Sequence, residues 1–226
     1  MIIKGIQKLT LLDFPGRVAC TVFTAGCNFR CPFCHNASLV VKNGIDAIPE
    51  EEIFDFLDKR RGRLSGVCIS GGEPTLQPDL IPFIRRIREM GYAIKLDTNG
   101  YRPDVVKELI DGGLVNYIAM DIKTSRERYF AVAGVDIDVA KIEESAALVM
   151  QSGIDYEFRT TVVKELHSEA DFTNIGNWLS GAKKFFLQGF IDSGDCISEG
   201  LHGYDKNELL DLLNVLKVKI PSAKIR

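Results

Sequence analysis

The sequence predicts an α/β fold, a partial (β/α)6 barrel with parallel strands. Six short apolar runs alternate with longer amphipathic segments along the 226 residues, and each run ends at polar or glycine-rich sequence. This alternation implies parallel strands that are joined by right-handed crossovers. Six units fall short of the eight that close a complete barrel, so we expect a partial barrel that occupies residues 1–226 as a single domain.

The strands are predicted by short runs of β-branched, aliphatic and aromatic residues, which fit a pleated and buried surface. The first run leads directly into a cysteine-rich loop, and the second ends at a pair of glycines. In chain order, the strands are expected at residues 18–23, 66–70, 92–98, 117–121, 156–163 and 184–188.

The segments that follow these runs show helical periodicity and helix end signals. In the first segment Ile53, Phe54 and Leu57 share one face, and Pro49 stands at the start. Glycines follow several of the segments, where helices commonly end. The helices are expected at residues 49–61, 79–90, 103–111, 138–151, 168–179 and 205–217, with residues 125–137 partly ordered.

Composition excludes several classes of function. The formal net charge of −3 gives no electrostatic case for a nucleic-acid or membrane partner. The first residues lack the apolar stretch of a signal peptide, and no apolar run reaches the roughly 18 residues of a membrane span. We therefore expect a cytoplasmic protein, in which cysteines stay reduced and are available for metal binding or catalysis.

The strongest chemical signal is a cluster of three cysteines. Cys27, Cys31 and Cys34 are spaced C-x3-C-x2-C, with Phe33 directly before the last one. Iron–sulfur clusters of the [4Fe–4S] type are normally held by four cysteine thiolates. Three thiolates would hold three irons and leave the fourth iron open, which implies chemistry at the cluster rather than electron storage.

Other interpretations of the cysteines are weaker. A structural zinc would need a fourth ligand such as Cys20 or His35, but zinc sites usually show two separated ligand pairs and this chain has no second pair. Cys20 and Cys68 fall within predicted strands, so we expect them to be core residues. His167 and His202 are expected at the surface.

Polar residues stand at the ends of successive predicted strands. In barrel-like α/β folds, ligands bind at the carboxyl ends of the strands, so these residues are expected to converge on one cavity. The candidate ligand-binding residues are Gly71, Gly72, Glu73, Asp97, Thr98, Asp121, Lys123 and Gln188.

Each of these groups suits a different part of a ligand. Paired glycines let the backbone approach a ligand closely, and the carboxylate of Glu73 can accept hydrogen bonds from an ammonium group. Asp97 and Asp121 suit a small cation or ribose hydroxyls, and Lys123 can pair with a carboxylate. The alternative interpretations are an ordinary glycine turn and salt-bridged strand ends.

The spacing Cys-x3-Cys-x-aromatic-Cys resembles the signature of radical S-adenosylmethionine (SAM) enzymes. The block over residues 11–36, with Ser70-Gly71-Gly72-Glu73-Pro74, Asp97-Thr98-Asn99-Gly100 and Asp121-Ile122-Lys123, resembles the activating proteins of glycyl radical enzymes. The resemblance points in particular to the short activating proteins of anaerobic ribonucleoside-triphosphate reductases, and it covers most of the chain.

The resemblance implies an activity and its cofactors. SAM would chelate the open iron of one [4Fe–4S] cluster, and the segment containing Glu73 would bind its amino group. The enzyme would cleave SAM reductively and remove the α-hydrogen of one glycine in a partner protein. The partner implied by the resemblance is an anaerobic ribonucleotide reductase. Reduced flavodoxin or ferredoxin would donate the electron, and Phe33 would contact the cofactor.

Two departures from the family pattern refine this expectation. The chain lacks the inserted ferredoxin-like domain of many activating enzymes, which favours a single cluster. It also lacks a histidine near the end of the sixth strand, where Gln188 is a candidate substitute. The alternatives are a radical SAM enzyme that acts on a small molecule, for example in deazaguanine formation, and a non-enzymatic iron–sulfur or zinc protein.

Overall fold

The computed structural model describes residues 1–41 and 46–226, and in these residues it contains one eight-stranded sheet whose strands follow chain order. The strands are β1 (Ile3–Thr10), β2 (Ala19–Thr24), β3 (Gly66–Gly71), β4 (Ala93–Thr98), β5 (Tyr117–Asp121), β6 (Asp155–Val162), β7 (Phe185–Gly189) and β8 (Lys224–Ile225). β1 runs antiparallel to β2, and every later pair of neighbours is parallel.

Helices connect the parallel strands, as a chain of right-handed crossovers requires. They are α1 (Ala37–Val40), α2 (Glu50–Lys59), α3 (Leu80–Glu89), α4 (Pro103–Asp111), α5 (Tyr129–Ala133), α6 (Val139–Gln151), α7 (Glu169–Trp178) and α8 (Lys206–Lys217). The start of α8 is fixed by a capping box: the Asp205 carboxylate accepts from the Glu208 backbone N–H at 3.0 Å, and Glu208 accepts from the Asp205 N–H at 2.7 Å.

Strands β2 to β7 are the six parallel strands that the sequence predicts, and the α/β class is confirmed. Every predicted strand and helix is present, with its ends within two residues of the expected positions. The segment at residues 125–137, expected to be partly ordered, contains the short helix α5. The antiparallel edge strand β1 and the two-residue strand β8 were not predicted.

The core confirms one set of sequence expectations and corrects another. Cys20 and Cys68 are fully buried, as expected for strand residues. The prediction that His167 lies at the surface is wrong, because its side chain is only 3% exposed. Its Nε2 lies 2.7 Å from the carbonyl oxygen of Lys123, so the imidazole satisfies backbone polar groups in the interior.

A helix that crosses a membrane needs about 20 predominantly apolar residues. In the part of the chain that the structure describes, no helix combines that length with that apolar character.

Candidate active site

A cavity of about 190 Å³ lies at the carboxyl end of the parallel strands. It is bounded by the loop after β2 and by the ends of β3, β4, β5 and β6. Among the sequence-predicted residues, the structure brings together Cys27, Cys31, Phe33, Cys34, Gly71, Gly72, Glu73, Asp97, Thr98, Asp121 and Lys123. Gln188 does not line this cavity, although it is in register with Thr161, which does.

Contacts on both sides hold the cysteine loop in place. The Arg30 backbone N–H donates to the Ala133 carbonyl at 2.8 Å, which ties the loop to α5. On the other side, the Ser198 N–H donates to the Pro32 carbonyl at 2.9 Å. The loop therefore has a defined conformation that comes from its neighbours as well as from its own turns.

The three thiols share the cavity but do not meet at one point. Within residues 1–41 and 46–226, no three His, Cys, Asp or Glu side chains lie close enough together to hold a single metal ion. Thiols arranged around a common space suit a cluster in which each thiolate binds a different iron. The donor set therefore fits three corners of a [4Fe–4S] cluster.

Burial opposes the ionisation of two of these thiols. It raises the pKa of Cys27 to about 12 and that of Cys31 to about 11, and the ammonium of Lys123 acts in the opposite direction on both. Thiolates are the metal-binding form of cysteine, and a bound metal removes the proton outright. A cationic cluster iron would supply the charge that the buried thiolates need.

A buried amide without a partner lies beside the first cysteine. In the described part of the chain, Nδ2 of Asn28 is the one buried side-chain nitrogen or oxygen that makes no hydrogen bond. Buried polar groups are nearly always paired, so an orphaned donor calls for an explanation. The same side chain lies beside the cysteine loop through its oxygen, which is 3.9 Å from the Cys27 sulfur.

Glycine is required at positions 71 and 72 because the backbone there lies very close to the backbone of the loop after β2. A Cβ on Gly72 would lie 1.9 Å from the carbonyl oxygen of Gly26, and a Cβ on Gly71 would lie 2.5 Å from the backbone of Thr24. The Glu73 N–H donates to the Gly26 carbonyl at 2.8 Å. The end of β3 therefore packs directly against the start of the cysteine loop, which no larger residue would allow.

Glu73 is buried and is held by hydrogen bonds from its own chain. Its Oε1 accepts from the backbone N–H of Thr75 at 3.0 Å and from the hydroxyl of Thr98 at 2.8 Å. Its Oε2 accepts from the Asn99 N–H at 2.6 Å. Burial raises the pKa of Glu73, and these donors oppose the rise. The carboxylate thus links the ends of β3 and β4.

Five charged side chains alternate in sign in one chain of ion pairs, and four of them, all except Lys95, line the cavity. Lys95 contacts Asp97, and Arg159 donates to Asp97 at 3.3 Å and to Asp121 at 2.8 Å. Lys123 completes the series by donating to Asp121 at 3.0 Å. Both carboxylates are therefore paired within the chain, and a role for them in holding a small cation or ribose hydroxyls stays a prediction.

The network explains how the carboxylates stay ionised. Burial opposes ionisation of Asp121, but Arg159 and Lys123 lower its pKa to about 2. Asp97 is also buried, and Arg159 and Lys95 lower its pKa below the ordinary range. The charged residues at the ends of the strands are therefore a preorganised set of fixed charges.

Arg159, Lys95 and Asn99 were not among the candidate ligand-binding residues, although Arg159 and Asn99 belong to predicted strands and strand ends that were expected to converge on the cavity. A charged residue inside an otherwise apolar strand was the available signal for Arg159 and Lys95, since such a residue must find a partner in the interior. Asn99 follows directly after Thr98, but the contacts of its amide depend on the packing of two loops. The structure places Arg159 and Asn99 in the cavity wall.

Comparisons with known proteins show which family this chain is similar to. Residues 21–176 match the family model described as the Radical SAM superfamily. A Methanocaldococcus jannaschii protein, named as a glycyl-radical enzyme activating enzyme, is 32% identical over 100% of this chain and 95% of its own length. The pyruvate formate-lyase-activating enzyme of Clostridium pasteurianum is 32% identical over 54% of this chain and 52% of its own length.

Solved structures extend the likeness to the fold. The crystal structure of QueE from Escherichia coli superposes with a TM-score of 0.58 and covers 100% of this chain and 93% of that chain. The sequence identity is 14%, so this likeness concerns the fold alone.

Proposed function

Because the chain belongs to the radical SAM superfamily, and within it to the glycyl-radical enzyme activating enzymes, we propose that it generates a glycyl radical on an anaerobic ribonucleoside-triphosphate reductase. Enzymes of this family use a [4Fe–4S] cluster and SAM. The observation that supports the activase function most directly is the relative that matches over the whole chain. The reductase as partner is supported by the sequence block at residues 11–36.

The cofactors supply the difficult chemistry, which is one-electron reductive cleavage of a sulfonium and abstraction of a hydrogen atom. The chain supplies binding, orientation and exclusion of water. Cys27, Cys31 and Cys34 would hold the cluster, and reduced flavodoxin or ferredoxin would deliver the electron. The whole of residues 1–226 would act as one domain in the cytoplasm.

The polar wall of the cavity fits the charged end of SAM. SAM carries an ammonium, a carboxylate and a sulfonium, and the wall presents both signs of charge in fixed positions. The segment of Gly71, Gly72 and Glu73 would receive the ammonium end, and Lys123 the carboxylate. Asp97, Thr98 and Asp121 would orient the remainder through the network that Arg159 completes.

Exposed apolar residues on the segments next to the cysteine loop favour a protein substrate. Phe130 on α5 is 62% exposed and Ile191 after β7 is 78% exposed. Both belong to segments that contact the cysteine loop: α5 through Arg30, and the loop after β7 through His35, whose Nε2 lies 2.8 Å from the Ile191 carbonyl oxygen. Exposed large apolar side chains on segments that contact the cysteine loop suit contact with a partner protein.

Electron paramagnetic resonance tests the proposed partner. The reconstituted chain, SAM, a reductant and an anaerobic ribonucleotide reductase are mixed without oxygen, and a glycyl doublet is expected only when all are present. The Cys34→Ala variant is the matched control and should give no doublet. Consumption of a free nucleoside precursor without a doublet on any glycyl radical enzyme would contradict the proposal and favour a small-molecule substrate.

A further inference from the structure

The side-chain amide of Asn99 has a fixed orientation. Its Oδ1 accepts from the backbone N–H of Tyr101 at 2.9 Å, so Oδ1 must be the oxygen and the other end must be the amino group. Asn99 is 5% exposed and lies in the cavity wall. The amino group therefore points in a defined direction into the interior.

That amino group faces the first cysteine of the cluster loop. Its nitrogen lies 3.8 Å from the Cys27 sulfur and 2.9 Å from Oδ1 of Asn28. An amide nitrogen carries two hydrogens, so one can serve each acceptor. The Phe29 backbone N–H reaches the same sulfur at 3.3 Å. The Cys27 sulfur therefore already has two N–H donors at hydrogen-bonding distance.

The second amide of the pair is oriented by the first. Oδ1 of Asn28 accepts from the Asn99 amide, so the Asn28 amino group must point away from Asn99. That amino group is the buried donor without a partner described above. Nothing within the described chain uses this donor. The part of Asn28 that bears on the cluster loop is therefore its oxygen, which holds the Asn99 amide beside Cys27.

We propose that Asn99 and Asn28 form an amide pair in which Asn28 orients Asn99, and Asn99 donates an N–H···S hydrogen bond to the cluster ligand Cys27 and raises the reduction potential of the cluster. Hydrogen bonds to cluster sulfurs stabilise the reduced state, because reduction adds negative charge to the sulfurs. The Asn99 backbone N–H also holds Oε2 of Glu73 at 2.6 Å. Asn99 thus connects the predicted SAM-binding segment to a cluster ligand and is a positioning residue for both.

The proposal rests on the family's cluster and not on the identity of the partner enzyme. Its test is a redox titration of the reconstituted chain, in which EPR follows the reduced cluster with no partner present. Asn99→Ser keeps a short side-chain acceptor for the Tyr101 N–H but cannot reach Cys27. Asn99→Asp keeps the shape and that acceptor, and it replaces the donor by a negative charge.

A matched control exists at the other end of the barrel. Oδ1 of Asn116 accepts from the Ile94 backbone N–H at 2.9 Å, and Asn116 directly precedes β5 at the end of the sheet away from the cavity. Asn116→Ser therefore makes the same substitution at an asparagine that also accepts from a backbone N–H, without touching the cluster loop. Iron content is measured for every variant before its titration.

We expect full iron content and a more negative midpoint potential in Asn99→Ser, a still more negative one in Asn99→Asp, and no shift in Asn116→Ser. Asn28→Ala is expected to shift the potential in the same direction. An unchanged potential in Asn99→Ser with full iron would overturn the proposal. Loss of the cluster from both Asn99 variants would overturn it as well, because a residue that tunes the cluster is not required to assemble it.

Failure of this proposal is separable from failure of the proposed function. A shifted potential in a chain that activates no ribonucleotide reductase would leave the amide pair in place and change the partner. A glycyl doublet from Asn99→Ser with a wild-type potential would keep the activase and remove the amide pair.

Discussion

Nε of Arg159 donates to the carboxylate of Asp121 across 2.8 Å, from the same register position on neighbouring parallel strands. The guanidinium is largely buried, and its NH1 also reaches Asp97 at 3.3 Å. One side chain therefore neutralises two carboxylates in the wall of the cavity. The charge pattern of the site depends on a residue in the middle of a strand.

Replacing Arg159 should destabilise the chain. Arg159→Met leaves Asp97 and Asp121 without their shared partner, and breaking a buried ion pair in this way costs about 3–5 kcal/mol. The free energy of unfolding in urea measures the loss. Arg126→Met is the matched control, because its ion pair with Glu143 lies at the surface and should change stability by less than about 1 kcal/mol. Equal effects of the two substitutions would contradict the role of Arg159.

Acid should remove the stability that Asp121 contributes. Its pKa is about 2 in the folded chain and about 3.9 in an unfolded one, so the contribution is complete above the unfolded value and is lost as the pH falls towards 2. Unfolding free energies between pH 5 and pH 2 should therefore fall more steeply for the wild type than for Asp121→Asn. Parallel curves would show that Asp121 is not held ionised by its neighbours.

The cysteines should divide into two groups when each is replaced by alanine. Loss of Cys27, Cys31 or Cys34 removes an iron ligand, and the reconstituted variant should lose the cluster and its visible absorption. Cys196→Ala, outside the three-cysteine motif, should retain about four irons per chain, as the wild type does. About eight irons in the wild type, or zinc bound stably in their place, would contradict a single cluster of this type.

Glu73 should matter for folding as well as for SAM. Glu73→Ala leaves buried donors of Thr75, Thr98 and Asn99 without an acceptor, and each such group costs about 1–3 kcal/mol. We expect the apo chain to lose about 3 kcal/mol of unfolding free energy, measured in urea without SAM. Glu51→Ala, at an exposed pair with Arg86, is the control. An apo stability equal to that of the wild type would mean that Glu73 serves the ligand alone.

The six parallel strands and the helices between them could be predicted from the sequence because their hydrophobic periodicity is strong. Each strand from β2 to β7 is a buried apolar run next to an amphipathic helix, and buried elements carry the clearest pattern. The edge strand β1 escaped prediction because β2 is its one neighbouring strand in the described sheet and because it carries exposed polar residues such as Gln7 and Lys8. β8 spans two residues and is defined by its pairing with β7 rather than by its own composition.

The site could be predicted as a set of residues but not as a set of contacts. The carboxyl ends of parallel strands meet by geometry, so residues that follow the strands converge whatever the details of packing. The partners of Glu73 and the two bonds of Arg159 depend on side-chain direction and on register between strands, which periodicity does not specify. For the same reason, Gln188 was assigned to the site by its place in the chain and yet lies outside the cavity lining.

Transfer of a hydrogen isotope tests the central claim most directly, namely that the chain activates a protein glycine. A ribonucleotide reductase labelled with deuterium at the α-carbons of its glycines is incubated with the reduced chain and SAM under anaerobic conditions. The account predicts that the 5′-deoxyadenosine formed carries deuterium, as measured by mass spectrometry. Formation of 5′-deoxyadenosine without deuterium, together with an unmodified reductase, would contradict it.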